Sequence, residues 1–243
     1  MSGRDAEVPR PRALFIAGDS TASQKYADAA PETGWGMALP FFLDGSTEVV
    51  NHAVNGRSTR TFLDEGRFDA VLAAIRAGDL LLVQFGHNDQ SDDPNRQTDP
   101  WSVYQDNLRT YVEGARSRGA VPVLATSVER RQFDASGTAL RTLGAYPEAM
   151  REVAKETGVP LLDIEDASLA LWQELGPETT KEYFHWTATA RDNTHFNPPG
   201  AIAVARLVAR ALLRAELLAP GEVRRLDDAV PAGWITWPEA EDV

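Results

Sequence analysis

The chain has 243 residues, and its 43% hydrophobic and 25% charged residues are typical of a globular protein, which excludes disordered and collagen-like chains. Its 24 Lys and Arg against 36 Asp and Glu give a net charge of −12, which disfavours nucleic acid and anionic membrane surfaces as partners. There is no cysteine, so disulfides, thiolate chemistry and cysteine-ligated zinc are excluded.

The amino-terminal residues 1–12, MSGRDAEVPRPR, come before a first apolar run, ALFIA, of only five residues. This run is too short for the core of a signal peptide, and no small-residue cleavage site follows it. No apolar run in the sequence approaches the ~18 residues that span a bilayer. We therefore expect a cytoplasmic protein that is not inserted in a membrane.

Five short apolar runs, each with the length and residue types of a β-strand, are separated by longer amphipathic stretches. The predicted strands are Ala13–Ala17, Glu48–Val54, Leu80–Phe85, Val121–Thr126 and Val159–Ile164. The predicted helices lie near 64–77, 103–118, 146–157 and 198–216. The third run is apolar at consecutive positions, as expected for a strand that is buried on both faces. This alternation predicts a parallel sheet that is covered by helices, with right-handed crossovers.

Three polar segments are predicted to be loops near the carboxyl ends of strands, where ligands bind in open α/β sheets. They are Ser91–Pro100, about Glu129–Ala145 and about Lys181–Pro199. The sequence has no internal repeat and no linker, so one domain is predicted over 1–243, with its core at about 12–215. Residues 219–243 are rich in proline and acidic residues and are predicted to form an irregular extension.

The first chemical motif, Gly18-Asp19-Ser20-Thr21-Ala22, comes directly after the first predicted strand. A serine at this place can act as a nucleophile, because a following helix N-terminus stabilises negative charge. The alternative is that Ser20 only caps the next helix. Asp19 is predicted to bond loop amides and so to set the turn around Ser20.

Two further motifs follow the second and third predicted strands. Gly56, in VNGRSTR, lets the backbone come close to a ligand and donate its N–H to an oxyanion, unless it only forms a turn with Asn55. Asn88, in the sequence FGHND, offers a side-chain amide as a donor, unless it makes only turn hydrogen bonds.

The fourth motif is Asp192-Asn193-Thr194-His195-Phe196. An aspartate three residues before a histidine can accept from the imidazole Nδ1–H, which leaves Nε2 free to act as a base. The chain has four histidines, and only His195 combines an aspartate at this spacing with a following predicted helix.

Together these motifs resemble the SGNH hydrolase superfamily of GDSL-type esterases, whose four marker residues match Ser20, Gly56, Asn88 and His195. GDSTA, VNGRSTRTF, QFGHND and DNTHF are similar to the rhamnogalacturonan acetylesterase branch, and the resemblance spans about 12–215. It implies a flavodoxin-like, three-layer α/β/α fold with a five-stranded parallel sheet. It also implies removal of acetyl groups from sugar hydroxyls, with no metal and no cofactor.

In this interpretation Ser20 attacks the ester carbonyl, His195 takes its proton, and Asp192 orients His195. The backbone N–H groups of Ser20 and Gly56 and the Asn88 amide hold the oxyanion. The candidates for substrate binding are His87, Trp35, Trp101 and Trp186, with a core or structural position as the alternative for each. Arg130 and Arg131 are candidates for binding a uronate carboxylate, unless they are only solvated.

Two other functions remain open. An SGNH acyl esterase, lipase-like enzyme or thioesterase would need an elongated apolar channel, which the polar loops disfavour. A non-catalytic carbohydrate-binding module of flavodoxin-like fold would not need Ser20, Asn88 and His195 together. The sequence contains no Gly-x-Ser-x-Gly elbow, phosphate-binding glycine loop or His-Glu-x-x-His metal motif. The expected partner is an acetylated oligo- or polysaccharide, with no nucleic acid and no membrane.

Overall fold

A computed structural model describes residues 11–240 of the chain. The strands are β1 (Arg12–Gly18), β2 (Thr47–Asn51), β3 (Leu80–Gln84), β4 (Val121–Ala125), β5 (Leu161–Leu162), β6 (Phe184–Trp186) and β7 (Arg191–Phe196). The helices are α1 (Trp35–Ala38), α2 (Thr59–Asp64), α3 (Arg67–Ala74), α4 (Val103–Ser117), α5 (Tyr146–Thr157), α6 (Ile164–Thr179) and α7 (Pro198–Arg214). Residues 1–10, on which the expectation about a signal peptide depends, and 241–243, the end of the predicted extension, lie outside the described residues.

The first five strands form one parallel sheet in the order β2-β1-β3-β4-β5. This is the strand order of flavodoxin-like folds, and it confirms the predicted fold class. β1 lies between β2 and β3, so the carboxyl ends of the first three strands are neighbours at one end of the sheet. Within residues 11–240 no helix is both long and apolar enough to cross a membrane.

Both faces of the sheet are buried, which explains why the apolar residues of its strands are consecutive. On β1, Leu14 and Ile16 pack on one face, while Ala13, Phe15 and Ala17 pack on the other. Helices α1, α6 and α7 cover the first face, and α2 to α5 cover the second. The result is the predicted three-layer α/β/α arrangement, in which alternate residues of each strand enter different cores.

Two predicted strands differ in extent from those in the structure. β2 ends at Asn51, but the next residues still follow β1, because His52 N donates to Ile16 O (2.9 Å) and Val54 N donates to Gly18 O (3.0 Å). β5 has only two residues, and the predicted strand over 159–164 also covers the start of α6.

The helix predicted near 64–77 is wrong in its extent, since α2 and α3 are separated at Gly66, whose φ of +69° is left-handed and interrupts a helix. Helix α6 is not among the predicted helices, although Asp163 is a local signal for it, because its carboxylate accepts from Asp166 N at the helix start. The predicted loop over 181–199 instead contains the antiparallel hairpin of β6 and β7.

The carboxy-terminal segment, residues 219–240 as far as the structure describes them, contains only two short 3₁₀ turns. It packs against the first part of the chain: Ile235 is buried, Ala27 N donates to Pro238 O (2.9 Å), and Trp237 Nε1 donates to Glu32 O (2.8 Å). The segment that it holds, around Glu32, lies beside the site described next.

Candidate active site

Three of the four motifs meet because β1 is the neighbour of both β2 and β3. Gly18 at the end of β1 pairs with Gln84 of β3 and accepts from Val54 N in the segment after β2. Ser20, Gly56 and Asn88 each follow shortly after one of these three residues. The three predicted oxyanion donors therefore lie at the same end of the sheet, as expected for parallel strands.

The turn that presents Ser20 is held by its buried neighbour Asp19. The Asp19 carboxylate accepts from the backbone N (2.9 Å) and Oγ1 (2.7 Å) of Thr21, and its carbonyl accepts from Ala22 N and Ser23 N. This is the loop-setting role predicted for Asp19. Ser20 itself is 9% exposed, so most of the residue is covered by its neighbours at the end of the sheet.

His195 lies on β7, in the hairpin that stands where the sequence predicts a loop. Its neighbour Phe196 is buried, pairs with Phe184 on β6, and accepts at its carbonyl from Thr33 N (2.8 Å). Asn197 then caps α7 by accepting from Gly200 N. The histidine is thus held between a buried strand residue and a helix start, which restricts its ring.

The side chains of the first and fourth motifs form a continuous hydrogen-bonded relay. Ser20 Oγ lies 2.8 Å from His195 Nε2, and His195 Nδ1 lies 2.7 Å from Asp192 Oδ2. The other Asp192 oxygen accepts from the backbone N of His195 (2.9 Å) and of Thr194 (2.7 Å). With the carboxylate oriented by backbone donors, His195 carries its proton on Nδ1 and presents Nε2 to the hydroxyl as an acceptor.

Electrostatics in this relay favour a charged aspartate beside a basic histidine. Burial alone would raise the pKa of Asp192, but the hydrogen bonds from His195 and Thr194 outweigh it and lower the pKa to about 2. Burial would likewise lower the pKa of His195, but the hydrogen bond and the charge of Asp192, with a contribution from Glu32, raise it above its usual value.

The predicted oxyanion donors are open to a ligand. Asn88 Nδ2 uses one hydrogen to donate to Arg57 O (3.0 Å), which ties the amide to the residue after Gly56. Among the described residues, the backbone N–H groups of Ser20 and Gly56 donate to no other protein group. Gly56 has φ +75°, a conformation that favours glycine, so the sequence choice at this position has a backbone reason.

Two of the predicted substrate-binding residues are instead internal, and these predictions are corrected. Trp35 is 1% exposed and its Nε1 donates to Gln84 Oε1 (2.8 Å), so its ring cannot stack on a sugar. His87 is buried, with Nε2–H donating to Val128 O (2.8 Å). Burial lowers the pKa of His87 to about 4, only partly offset by the charge of Asp19, so His87 is neutral, and its Nδ1 lies 3.9 Å from Asp19 Oδ2.

The other candidates lie at or near the surface. Trp101 is 48% exposed at the start of α4, and nothing places it against Ser20 or His195. Trp186 is half-buried on the β6–β7 hairpin, with the Arg131 guanidinium 4.7 Å from its ring centre. Of the predicted tryptophans, Trp186 is the one that lies in the same β-hairpin as His195, on β6 beside β7.

The two arginines suggested for uronate binding already have protein partners. Arg130 Nη1 donates to Gln90 Oε1 (3.0 Å), and Arg131 Nη1 donates to Asn193 Oδ1 (3.1 Å). The backbone N of Arg131 also donates to Asn193 O (2.8 Å). Arg131 thus braces the strand segment between Asp192 and His195 rather than presenting a free guanidinium.

The sequence analysis missed a polar cluster beside Gly56 that is centred on the buried side chain of Lys25. Lys25 is 1% exposed, pairs with Glu32, and donates to Asn55 Oδ1 (2.6 Å), which also accepts from Ser23 Oγ (2.6 Å). No local pattern marks Lys25, because Asn55 is 30 positions away in the sequence. The cluster joins the loop after β1 to the residue that precedes Gly56.

A cavity of about 570 Å³ adjoins this cluster, between the segment after β1 and the end of β2. Its lining mixes polar side chains, among them Gln24, Asp28 and Asn55, with apolar ones, such as Ala53 and Val54. Tyr26 also lines the cavity and is 40% exposed, so an aromatic ring is available there.

Within residues 11–240, one group of carboxylates has a spacing that could hold a metal ion: Asp163, Glu165 and Asp166. Arg151 Nη2 lies 2.9 Å from Asp163 Oδ1, and Arg141 Nη1 lies 2.8 Å from Glu165 Oε1. These ion pairs already compensate the negative charge, and none of the three carboxylates contacts the Ser20 relay.

Comparisons with known proteins identify the family of the chain. The model of the GDSL-like lipase/acylhydrolase family matches residues 16–201. In Bacillus subtilis, the rhamnogalacturonan acetylesterase RhgT is 42% identical over 84% of this chain and 91% of its own. The probable rhamnogalacturonan acetylesterase YesY of the same organism is 40% identical over 82% and 91%. The solved structure of protein YxiM from Bacillus subtilis superposes with a TM-score of 0.76 at 27% identity, covering 85% of this chain and 57% of that one.

Proposed function

Since the chain belongs to the GDSL-like lipase/acylhydrolase family, we propose that it is a carboxylic ester hydrolase that removes acetyl groups from acetylated carbohydrates. The observation that carries the proposal is the relay from Ser20 Oγ through His195 to Asp192, with links of 2.8 Å and 2.7 Å. A serine hydroxyl is a poor nucleophile until a base removes its proton, and this geometry supplies that base. The two Bacillus subtilis relatives are named as rhamnogalacturonan acetylesterases, one of them as a probable one, and these names support an acetylated carbohydrate as the substrate.

The first half of the reaction forms an acetyl-enzyme. Ser20 Oγ bonds to the carbonyl carbon of the acetyl ester while His195 Nε2 takes the hydroxyl proton. The tetrahedral intermediate collapses when the bond to the sugar oxygen breaks, and His195 gives its proton to that leaving oxygen. Asp192 stays ionised throughout and stabilises the histidinium that forms between these steps.

The second half releases acetate. A water molecule gives a proton to His195 Nε2 and bonds to the acetyl carbon, and the Ser20 oxygen leaves and recovers its proton. In both halves the carbonyl oxygen becomes negative and accepts from the N–H groups of Ser20 and Gly56 and from Asn88 Nδ2. Donors of this kind each contribute roughly 3–4 kcal/mol of transition-state stabilisation in comparable enzymes.

For the substrate we favour acetylated rhamnogalacturonan fragments. The two relatives named for that activity each match this chain over 91% of their own length. Tyr26, which is 40% exposed in the lining of the neighbouring cavity, offers an aromatic ring on which a sugar can stack. Acetylated xylan is the natural comparison substrate, because it tests the sugar and leaves the acetyl group unchanged.

Acetate release from a panel of acetylated substrates tests the proposal. The panel contains acetylated rhamnogalacturonan oligosaccharides, acetylated xylan and acetylated monosaccharides. In parallel, 4-nitrophenyl acetate and 4-nitrophenyl octanoate are compared by their release of 4-nitrophenol. We expect the highest kcat/KM among the carbohydrates on rhamnogalacturonan fragments, and acetate preferred over octanoate. Ser20→Ala is the matched control and is expected to keep its fold and melting temperature but to release no acetate.

Three results would contradict parts of the proposal. A folded Ser20→Ala protein with more than a few per cent of wild-type turnover would remove Ser20 as the nucleophile. A preference for octanoate would favour a lipase-like acyl esterase. Equal rates on all acetylated carbohydrates would be consistent with an acetylesterase but would contradict the proposed preference for rhamnogalacturonan.

A further inference from the structure

Arg96 lies against both of the oxyanion donors that follow β2 and β3. Its Nη1 donates to Asn88 Oδ1 at 3.3 Å. The same Nη1 lies 3.7 Å from the point that a Cβ on Gly56 would occupy. Arg96 is in the segment Ser91–Pro100, which the sequence predicts as a polar loop near the carboxyl end of a strand, but no motif marks Arg96 itself.

The loop that carries Arg96 is folded back onto the sheet end by buried hydrogen bonds. Thr98 donates to Asp89 twice, from its backbone N to the carbonyl (3.1 Å) and from Oγ1 to the carboxylate (2.9 Å). At the other end of the guanidinium, Arg96 Nε pairs with Asp93 Oδ2 at 3.1 Å. The side chain is thus held at Nε by its own loop and at Nη1 by Asn88.

The partners of Asn88 permit only one orientation of its amide. A guanidinium can only donate, so the atom that faces Arg96 is the amide oxygen. A backbone carbonyl can only accept, so the atom that faces Arg57 O is the amide nitrogen. If the amide were rotated by half a turn, two donors would face each other on one side and two acceptors on the other.

This arrangement leaves one N–H of Asn88 for the substrate. Nδ2 has two hydrogens, and the bond to Arg57 O uses one of them. A positive donor on Oδ1 also withdraws electron density from the amide, which makes the remaining N–H a stronger donor, as in other charge-assisted hydrogen-bond chains. The hydrogen bond from this N–H strengthens as negative charge develops on its acceptor, which is the ester carbonyl oxygen in the transition state.

We propose that Arg96 is a positioning residue for the oxyanion hole, which fixes and polarises the Asn88 amide by donating to Oδ1. The proposal rests on the ester hydrolase function proposed above. Arg96 acts through Asn88 and bonds no substrate atom itself. Its loss is therefore expected to lower kcat and leave KM nearly unchanged, because the interaction that it supports forms only in the transition state.

A double-mutant cycle on 4-nitrophenyl acetate tests this role. This ester carries no carboxylate, so a lost contact between Arg96 and an acidic sugar cannot affect the result. Arg96→Met is expected to lower kcat by roughly 10–100-fold, the range for loss of a hydrogen bond to a charged group, with KM changed by less than about threefold. In an Asn88→Ala background the same substitution is expected to change kcat by less than about twofold, since its target is gone.

Arg60→Met is the matched control for the loop. Arg60 Nη1 donates to Pro94 O (3.2 Å) in the loop of Arg96 but makes no bond to Asn88. Its kcat is expected to stay near that of wild type. Arg96→Gln, which keeps a neutral donor on a shorter side chain, serves if Arg96→Met lowers the melting temperature strongly, and an intermediate kcat is expected for it.

Each other result overturns the proposal in a distinct way. An increase in KM with normal kcat would make Arg96 a substrate-binding residue. An equal loss of kcat with and without Asn88 would show that Arg96 acts independently of the amide. The same loss in Arg60→Met would indicate a general effect of the loop. If wild-type protein does not hydrolyse 4-nitrophenyl acetate while folded, the ester hydrolase function itself is wrong.

Discussion

His195 lies between two partners of opposite character, the Ser20 hydroxyl at Nε2 and the Asp192 carboxylate at Nδ1. The relay works only while His195 is neutral. Burial lowers the pKa of His195, but the hydrogen bond and the charge of Asp192 outweigh it and raise this pKa above its usual value. The activity of the enzyme should therefore fall as the pH decreases through the pKa of His195.

Asp192→Asn is expected to lower kcat/KM by roughly 10²–10⁴-fold, as loss of the orienting carboxylate does in serine hydrolases with such relays. It is also expected to move the acid limb of the kcat/KM profile to lower pH, because burial, which lowers the pKa of His195, is then opposed only by the smaller effect of the Glu32 charge. The measurement is kcat/KM between pH 4.5 and 9. Asp227→Asn, a change in a fully surface-exposed ion pair, is the control and should leave the limb in place. An unshifted limb in Asp192→Asn would contradict the assignment.

Asn88→Ala is expected to lower kcat by roughly 10²–10³-fold with KM nearly unchanged, because the lost donor meets charge that develops only in the transition state. Asn88→Asp should be at least as damaging, since a carboxylate repels the oxyanion. Steady-state kinetics and melting temperature are measured on the same preparation. A destabilised Asn88→Ala protein with near-normal kcat would mean that Asn88 is only a turn residue, which also bonds Arg57 O.

At the scale of elements, the buried residue Asp89 joins three parts of the fold. Its carboxylate accepts from Thr59 N at the start of α2 and from Thr98 Oγ1 in the loop before α4. Its backbone carbonyl accepts from the Tyr146 hydroxyl at the start of α5. Burial raises the pKa of Asp89 to about 6, although the hydrogen bonds from Thr59 and Thr98 work against it. The same junction holds the loop of Arg96 against the site.

The pKa of Asp89 is higher in the folded than in the unfolded chain, so the folded protein binds this proton more tightly. The ionisation of Asp89 therefore lowers the free energy of unfolding as the pH rises from about 4 to about 6. We expect the free energy of unfolding of wild type minus that of Asp89→Asn to fall by roughly 1–3 kcal/mol between pH 4 and pH 7. Urea unfolding at both pH values measures it. Asp106→Asn, on an exposed helix face, should show no such change, and a difference that rises with pH would contradict the prediction.

At the scale of the whole molecule, the chain carries 36 acidic residues, yet its described carboxylate cluster is paired with arginines and lies away from the relay. Dialysis against EDTA is therefore expected to change neither kcat nor melting temperature. Both are measured before and after dialysis, with and without added Mg²⁺, Ca²⁺ or Zn²⁺. Loss of activity that a divalent ion restores would mean that the mechanism proposed here is wrong in kind.

The sheet could be predicted from the sequence because each strand has a local signal. A buried strand is a short run of apolar residues whatever its neighbours are, so β1, β3 and β4 lie within one or two residues of their predictions. Elements that depend on distant contacts were harder to find. β7 has polar residues at most positions and is stabilised by pairing with β6 and Thr33, which no local pattern shows.

By itself, the sequence determined the fold class and the four chemical motifs, because strand periodicity, glycine turns and an Asp-x-x-His spacing are local features. Only the tertiary structure decided which side chains meet. Ser20 and His195 are 175 positions apart, and Lys25 and Asn55 are 30 apart. In the folded chain Trp35 lies in the core and Arg96 lies beside Asn88. Packing and hydrogen bonding between separate elements decide where a side chain lies, and composition and motif spacing do not show these contacts.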